Sequence, residues 1–241
     1  MAWIATICSK SSMRNRHSVP LLDPRLGAAA EMVRPGCVAA DIGTGHGHLI
    51  SYLVASGKCP RGFACDANAL PLRTAEAEIA RRGLSGKIKT ILTDGLSGLE
   101  AKGIGDFLIL GMGGDLICSI IAGAPWAKCA GLSFILQPMT RPERLRYFLY
   151  REGFAVFEEK AVVSGRYVYT VMRAGYTGDA REISGLFAWT GLLEPSEASR
   201  RYLLRAASRA KRRAAGLAGA NRTEEADFYY DLANEIMEGI G

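Results

Sequence analysis

Short apolar runs alternate with segments of helical periodicity over most of this 241-residue chain. A short apolar run bounded by polar or glycine-rich residues is typical of a buried strand, whereas apolar residues that recur every three or four positions are typical of a helix. The predicted strands are 37–41, 62–66, 88–94, 106–113, 133–138, 154–163 and 166–174. The predicted helices between them are 47–55, 70–82, 116–122 and 142–153.

The order of these elements predicts an α/β fold with a mainly parallel sheet. Strand–helix–strand units impose parallel strands that are joined by right-handed crossovers. The last two predicted strands follow each other without a helix, and residues 166–174 alternate as a half-buried antiparallel strand does. Such a final hairpin is typical of the methyltransferase variant of the Rossmann-like sheet. Ligands of these sheets lie outside the carboxyl ends of the strands.

The loop after the first predicted strand, DIGTGHGHL, begins with Asp41 and contains three glycines. Gly43, Gly45 and the next glycine allow a tight turn and a close backbone approach to a ligand. A nicotinamide fingerprint needs glycine at position 48, where His48 stands. The pattern is instead typical of S-adenosylmethionine sites. We expect His46 to face the ligand and His48 to be a structural residue.

Acidic residues also end the second and third predicted strands. Asp66 can accept hydrogen bonds from both ribose hydroxyls of a nucleoside. Asp94 can accept a hydrogen bond from an adenine amino group, with Leu96 packed nearby. Three acids at three consecutive strand ends are more specific than one glycine loop, and they predict a single nucleoside-shaped cavity.

The fourth predicted strand ends in GMGG at 111–114. This segment offers a ligand only its backbone and the side chain of Met112. Such a wall suits a flat base that approaches closely, and it supplies no proton acceptor. The sequence therefore assigns no catalytic base.

The composition excludes several classes of protein. With 49% hydrophobic and 22% charged residues, the chain is globular rather than disordered or fibrous. No stretch resembles a membrane span, because glycines and Asp115 interrupt the longest apolar segment. The six cysteines form no C-x-x-C pair, which favours free thiols in a reducing compartment and predicts no metal site.

The net charge of +6 is unevenly distributed. Residues 1–178 contain 21 Lys and Arg against 14 Asp and Glu, whereas residues 179–241 contain 9 against 10. The excess would attract a polyanion such as RNA, although an ordinary basic enzyme surface would show the same excess.

The carboxyl-terminal segment is itself polarised. Seven basic residues and no acid lie between 200 and 213, and six acids and no base lie between 224 and 238. Apolar residues at helical spacing on both arms predict an antiparallel helical hairpin whose charges pair across the seam. The expected organisation is a flexible extension at 1–20, a catalytic domain at 21–178 and the hairpin at 179–241.

The motifs LDPRL, DIGTGHGHL, FACDANALPL, TDGL, LILGMGGDLI, FILQP and LRYFLYREGFAVFEE resemble those of the TrmK family of bacterial tRNA (adenine-22-N1)-methyltransferases. The resemblance runs from about Leu22 to Arg173, and the hairpin resembles the family's carboxyl-terminal coiled coil. It implies a Rossmann-like class I S-adenosylmethionine-dependent methyltransferase fold, S-adenosyl-L-methionine as cofactor, and methyl transfer to N1 of adenosine 22 in the D-arm region of tRNA. It also implies a cytoplasmic enzyme, and a monomer is favoured.

The resemblance implies which residues form the site. The implied cofactor contacts are Arg25, Asp41, Gly43, Gly45, His46, Asp66, Ala67, Asn68, Asp94, Gly95, Leu96, Gly111 and Met112. The candidates for the substrate pocket are Gly111, Met112, Gly113, Gly114, Gln137 and Pro138. The arginines that follow the ILQP motif, namely Arg141, Arg144, Arg146 and Arg151, are candidate phosphate contacts, with a solvated helix surface as the alternative.

The first loop departs from the family's form, DIGSDHAYLP, at two positions. Gly45 replaces an acid and Ile50 replaces proline. Two alternatives therefore remain: an inactive methyltransferase fold that binds RNA or protein, and the same chemistry on another RNA position or a small molecule.

Overall fold

The computed structural model describes residues 21–100 and 102–240, so the predicted extension at 1–20 lies outside the described residues. The strands are β1 (Ala39–Ile42), β2 (Gly62–Asp66), β3 (Ile88–Leu92), β4 (Asp106–Gly113), β5 (Ser133–Thr140), β6 (Phe154–Ser164) and β7 (Tyr167–Tyr176). The helices are α1 (Pro24–Met32), α2 (His48–Ala55), α3 (Ala69–Arg81), α4 (Gly114–Ala122), α5 (Pro142–Arg151), α6 (Gly185–Thr190), α7 (Glu197–Gly219) and α8 (Thr223–Glu238).

All seven strands form one sheet in the order β3-β2-β1-β4-β5-β7-β6. The first five strands in this order are parallel, and β7 is antiparallel to both of its neighbours. Because β7 runs in reverse, its first residues lie at the edge of the sheet where the parallel strands end. We call this edge the carboxyl edge.

The core lies on both faces of the sheet. Helices α1, α2 and α3 cover one face with a cluster that includes Leu53 and Ile79. Helices α4 and α5 cover the other face with a cluster that includes Ile117 and Leu149. Strands β1 and β2 are short, with four and five residues, and all of these residues are buried. Their buried positions fix the residues that follow them at the carboxyl edge.

Every predicted strand and helix is present, with bounds that differ from the prediction by at most two residues. Two helices were not predicted. Helix α1 begins at a capping signal: the Asp23 carboxylate accepts hydrogen bonds from the backbone N–H groups of Arg25 (2.8 Å) and Leu26 (3.2 Å), and proline follows it. Helix α6 has six residues, too few for a periodic pattern.

Helices α7 and α8 form the predicted hairpin, but its charges do not pair across the seam. Within the described residues no ion pair joins the two helices. The seam instead contains small and apolar side chains, with Ala207 and Ala210 of α7 packed in one cluster with Leu232 and Ile236 of α8. Not every apolar residue of the hairpin lies in this seam, since Phe228 of α8 is 51% exposed. Small residues allow close helix approach, so packing rather than charge holds this seam.

Arg146 was predicted as a phosphate contact, and the structure corrects this. Its side chain is fully buried and forms an ion pair with the buried carboxylate of Glu159 on β6 (2.5 Å). Arg146 also donates to the backbone oxygen of Ala188 on α6 (2.6 Å) and to the Tyr202 hydroxyl on α7 (3.2 Å). Arg146 therefore connects the sheet to the helices that follow it and cannot bind RNA.

No helix in the described part of the chain combines the length and apolarity needed to cross a membrane.

Candidate functional site

The loop between β1 and α2 is built by glycines in left-handed conformations. Gly43, Gly45 and Gly47 have φ of 70°, 58° and 69°, which side chains disfavour. Gly47 caps α2, and a Cβ there would lie 3.1 Å from the Cβ of Ala75. The backbone N–H of Thr44 donates to the Cys65 carbonyl on β2 (2.9 Å). The loop is thus folded tightly against β2 and α3.

Asp41 lies at the end of β1 and is 5% exposed. Burial raises its pKa to about 6; a hydrogen bond from the Thr44 hydroxyl (2.7 Å) opposes the rise, and the nearby Asp66 carboxylate adds to it. Within residues 21–100 and 102–240 no cationic side chain forms an ion pair with Asp41, so this buried carboxylate favours a positively charged ligand group.

The raised pKa of Asp41 predicts a pH-dependent stability. Because the folded protein holds this proton more tightly than the unfolded chain, the stabilising contribution is complete below about pH 4 and is lost as the pH rises through about 6. The loss amounts to about 3 kcal/mol. Urea unfolding at pH 4 to 7 should show a smaller decline for Asp41→Asn than for the wild type. Parallel profiles for the two proteins would contradict this assignment.

Asp66 ends β2 and is 8% exposed. Its carboxylate accepts hydrogen bonds from the backbone N–H groups of Gly45 (3.3 Å) and Asn68 (2.9 Å). These bonds fix the carboxylate between the β1 loop and the start of α3. Ala67 and Asn68 are exposed beside it, and Asn68 caps α3 without a side-chain hydrogen bond. Both side chains are therefore accessible to a ligand.

Asp94 follows β3 and is exposed in a turn that contains Gly95 at φ 56°. A Cβ at Gly95 would lie 3.2 Å from Ile120 of α4, so this glycine serves packing as well as the turn. Leu96 was predicted to pack against an adenine. It is only 2% exposed and belongs to the core cluster with Ile117, so its side chain packs inside the protein.

A cavity of about 230 Å³ opens at the carboxyl edge beside these loops. Its lining residues come from α1, the β1 loop, α2 and β4: Arg25, Leu26, Asp41, Gly43, Thr44, Gly45, His46, His48, Leu49, Leu110 and Gly111. Asp41 thus lies in the predicted cavity. Asp66 is in contact with the loop that lines it, whereas Asp94 lies outside this lining.

Arg25 and Gln137 connect three elements around the cavity. Gln137 of β5 is 1% exposed, and its side-chain oxygen accepts from the backbone N–H of Gly111 (3.1 Å) and from Nη1 of Arg25 (3.1 Å). Arg25 is also paired with Asp23 (3.1 Å). The Nε of Arg25 is buried and has no hydrogen-bond partner among the described residues. This cavity wall therefore keeps one strong donor unsatisfied.

The GMGG segment divides into two parts. Gly111 is exposed at φ 75°, has open space where a Cβ would be, and lies where the pairing of β4 with β5 shifts register. A Cβ at Gly114 would lie 2.5 Å from the backbone oxygen of Arg141, and one at Gly113 would lie 3.2 Å from Thr140. Gly113 and Gly114 therefore permit close packing of α4 on the end of β5, and Gly114 is too buried to contact a substrate.

Met112 of β4 and Pro138 of β5 were predicted as parts of the substrate pocket, and they differ in exposure. Met112 is half-buried, and its Cε would lie 2.4 Å from a Cβ at Gly43, so it covers the floor of the first loop. Pro138 lies on β5 next to Gln137 and is buried. Met112 of β4 and Pro138 of β5 are partners in the register of these two strands.

His46 and His48 both line the cavity, with ring centres 5.7 Å apart. Nδ1 of His48 lies 3.5 Å from the carboxylate of Glu78, which fits the predicted structural role. His46 is exposed and makes no such contact among the described residues. That His46 rather than His48 faces a ligand stays a prediction, since both residues line the cavity.

The remaining arginine candidates separate along α5. Arg141 and Arg144 lie at its start, at the carboxyl edge, are more than half exposed, and both form ion pairs with Asp115. Arg151 ends the same helix. A helix of ten residues is about 15 Å long, so Arg151 lies far from the carboxyl edge.

Sequence reasoning missed three contributors to this site. Thr44 orients Asp41 through its hydroxyl, and Tyr169 lies with its ring centre 5.6 Å from the Arg25 guanidinium. Met139 accepts a hydrogen bond from Arg25 at its sulfur (3.5 Å). The sequence does contain a signal for the last two, which is their place at the carboxyl edge. Met139 lies near the end of β5, and Tyr169 lies near the start of β7, which runs in the opposite direction.

A protein-family model described as "Methyltransferase domain" matches residues 22–172, which is more than half of the chain. The chain belongs to this methyltransferase domain family. The match covers every element from the loop before α1 to the middle of β7, including all residues that line the cavity. The predicted Rossmann-like methyltransferase fold is therefore confirmed.

The methyltransferase chain is similar to several known proteins. The tRNA (adenine(22)-N(1))-methyltransferase of Bacillus subtilis (strain 168) is 32% identical over 154 residues, and the alignment covers 64% of this chain and 64% of that protein. The structure of Streptococcus pneumoniae Sp1610 in complex with S-adenosyl-L-methionine superposes with a TM-score of 0.76 at 25% identity, over 88% of this chain and 97% of that one. The B. subtilis m1A22 tRNA methyltransferase TrmK superposes with a TM-score of 0.75 at 22% identity, over 90% and 98% of the two chains.

Proposed function

We propose that this chain is an S-adenosyl-L-methionine-dependent methyltransferase that methylates N1 of adenosine 22 in the D-arm region of tRNA. The observation that carries the proposal is the cavity at the carboxyl edge, where a buried carboxylate, a left-handed glycine loop and an unsatisfied arginine donor meet. The sequence identity with the B. subtilis tRNA (adenine(22)-N(1))-methyltransferase supports the choice of substrate.

The residues of the cavity fit the cofactor. Its amino acid moiety carries an ammonium group, which suits the buried Asp41, and a carboxylate, which suits the free Nε of Arg25. Asp66 and Asp94 lie outside the cavity lining, at the ends of β2 and β3, where Asp66 would hold the ribose hydroxyls and Asp94 the adenine edge. Gly45 leaves room for the ligand, because its left-handed backbone excludes a side chain and the space beside it is open, whereas the space beside Gly43 is occupied by Met112. The bound cofactor supplies a methyl group that is activated for transfer to a nucleophile.

The protein's own residues position the substrate base. Adenine N1 has a lone pair in the plane of the ring, so no residue has to remove a proton. Gly111 leaves space for a flat base, and Gln137 fixes the Gly111 backbone. Orientation of this kind can lower a barrier by about 7–11 kcal/mol. The target nucleotide must first leave its base pair or stack, at a cost of a few kcal/mol.

The organisation predicted from the sequence belongs to the same proposal. Residues 21–178 form the methyltransferase domain and residues 179–241 the hairpin. The partner is tRNA, the acting form is a monomer, and the reaction takes place in the cytoplasm. The surplus of positive charge on residues 1–178 supports a polyanionic partner.

Nucleoside mass spectrometry tests the proposal directly. A tRNA transcript with adenosine at position 22, incubated with the protein and methyl-labelled cofactor, should yield about one 1-methyladenosine per molecule. The matched transcript with guanosine at position 22 should yield none. Equal methylation of both transcripts would refute the position. Absence of methylation, despite thermal stabilisation of the protein by the cofactor, would refute the substrate.

A further inference from the structure

A second groove of about 210 Å³ adjoins the cofactor cavity. It lies between the end of β5, the start of β7 and helix α7. Its lining includes Met139, Tyr167, Tyr169, Thr170 and Arg205. The methyltransferase sheet and the hairpin thus build this groove together.

One wall of the groove is an aromatic platform. The side chain of Tyr167 is 39% exposed, and its ring centre lies 6.1 Å from that of Tyr169. The guanidinium groups of Arg166 and Arg205 lie 5.0 Å and 5.3 Å from the centre of the Tyr167 ring. Within residues 21–100 and 102–240, neither arginine has a carboxylate at ion-pair distance. Both charges are therefore free to attract an anionic ligand to the exposed ring.

The groove also contains a polar atom that the protein leaves unsatisfied. Thr170 lines the groove and is 1% exposed, and its hydroxyl has no hydrogen-bond partner in the described part of the chain. A buried hydroxyl without a partner is costly, so its place beside an aromatic platform indicates a ligand with hydrogen-bonding edges.

Arg25 links the two cavities. It lines the cofactor cavity, its guanidinium lies 5.6 Å from the Tyr169 ring centre, and it donates to the sulfur of Met139 (3.5 Å). Tyr169 and Met139 line the groove. When one nucleotide of an RNA strand lies at the cofactor cavity, a neighbouring nucleotide of the same strand can therefore reach the groove.

We propose that this groove is a nucleotide-binding subsite that stacks a base adjacent to the methylated adenosine on Tyr167, with Arg205 of the hairpin above it. Aromatic rings and guanidinium planes are the groups that bind unstacked bases of RNA, whereas phosphates alone would need only the charges. This inference rests on the proposed function for the identity of the neighbouring nucleotide, but the binding of RNA by the groove is measured without methylation.

Replacement of Tyr167 tests the subsite. Tyr167→Ala should weaken binding of the tRNA transcript about tenfold by fluorescence anisotropy, whereas Tyr167→Phe keeps the ring and should stay within twofold of the wild type. The matched control is Phe157→Ala. Phe157 is likewise about half exposed and lies 5.5 Å from an arginine, Arg173, but at the start of β6, away from the carboxyl edge. Its loss should leave tRNA affinity unchanged.

A spectroscopic signature separates stacking from a general loss of structure. Transcripts that carry 2-aminopurine at position 21 or at position 23 should report fluorescence quenching by the wild type at one of these positions, and Tyr167→Ala should abolish it. Affinity for S-adenosylhomocysteine and the melting temperature should stay at the wild-type values. Unchanged tRNA affinity in Tyr167→Ala, or an equal loss in Phe157→Ala, would overturn the subsite. A wild type that binds tRNA through Tyr167 without methylating position 22 would refute the proposed function and leave RNA binding by the groove intact.

Discussion

Replacing Glu159 by alanine should lower the free energy of unfolding by about 3–5 kcal/mol, because the change leaves a buried guanidinium without its counter-charge. Arg146 and Glu159 are both inaccessible to solvent in their side chains and lie 2.5 Å apart. Burial lowers the pKa of Arg146, but Glu159 and Tyr202 raise it above its usual range in the intact protein, so the arginine is charged. A guanidinium keeps its proton in proteins even without a counter-charge, so the variant leaves an unpaired buried charge. Glu159 also accepts from the backbone N–H of Leu192 (2.9 Å).

Urea unfolding followed by circular dichroism would measure this loss. The matched control is Glu158→Ala, because the neighbouring carboxylate is 37% exposed and pairs with Lys160 and Arg173 only at the surface. That change should cost no more than about 1 kcal/mol. A similar loss in both variants would show that the buried ion pair stabilises the fold no more than the exposed one.

Replacing Asp66 by alanine should weaken binding of S-adenosylmethionine by about 2–3 kcal/mol, or roughly 30- to 150-fold, because the proposed bonds to the ribose are charge-assisted. The turnover number at saturating cofactor should remain close to that of the wild type, since Asp66 takes no part in methyl transfer. Isothermal titration and initial rates at increasing cofactor concentration would separate the two effects.

The control for Asp66 is Asp115→Ala. This second carboxylate is 48% exposed and follows β4 at the same edge, but it pairs with Arg141 and Arg144, whereas Asp66 accepts a hydrogen bond from Gly45 of the loop that lines the cofactor cavity. Its replacement should leave the affinity for the cofactor unchanged. A large fall in turnover for Asp66→Ala at saturating cofactor would refute the role given to Asp66.

The sequence predicts the sheet well because its strands are short apolar runs with glycine or acidic residues at their ends. Strands β2 and β4 have the predicted bounds. Helix α1 was missed although Asp23 and Pro24 form a recognisable start, because its alanines give little periodic signal. The short helix α6 begins after a capping serine, Ser184, but its six residues give no periodic pattern, and it packs against α5, α7 and α8.

The site is predicted where a residue's role follows from its place at a strand end, as for Asp41 and Gly43. It is not predicted where the role depends on a partner distant in sequence. Arg146 is charged, and charged side chains are usually exposed, so only its pairing with Glu159 explains why it is buried. Gly114 looks like part of a substrate wall, but the backbone of Arg141 occupies the space beside it.

Arg146 joins α5, β6, α6 and α7 through its ion pair and hydrogen bonds, which has a consequence for binding of the proposed RNA substrate. Because Arg146, whose ion pair with Glu159 is fully buried, also binds the hairpin, the hairpin has little freedom to move relative to the sheet. The surface that it forms with the sheet therefore keeps a fixed shape. The conformational change that binding requires must then take place in the proposed RNA substrate. We expect transcripts with weakened pairing around the target to dock faster than those with reinforced pairing.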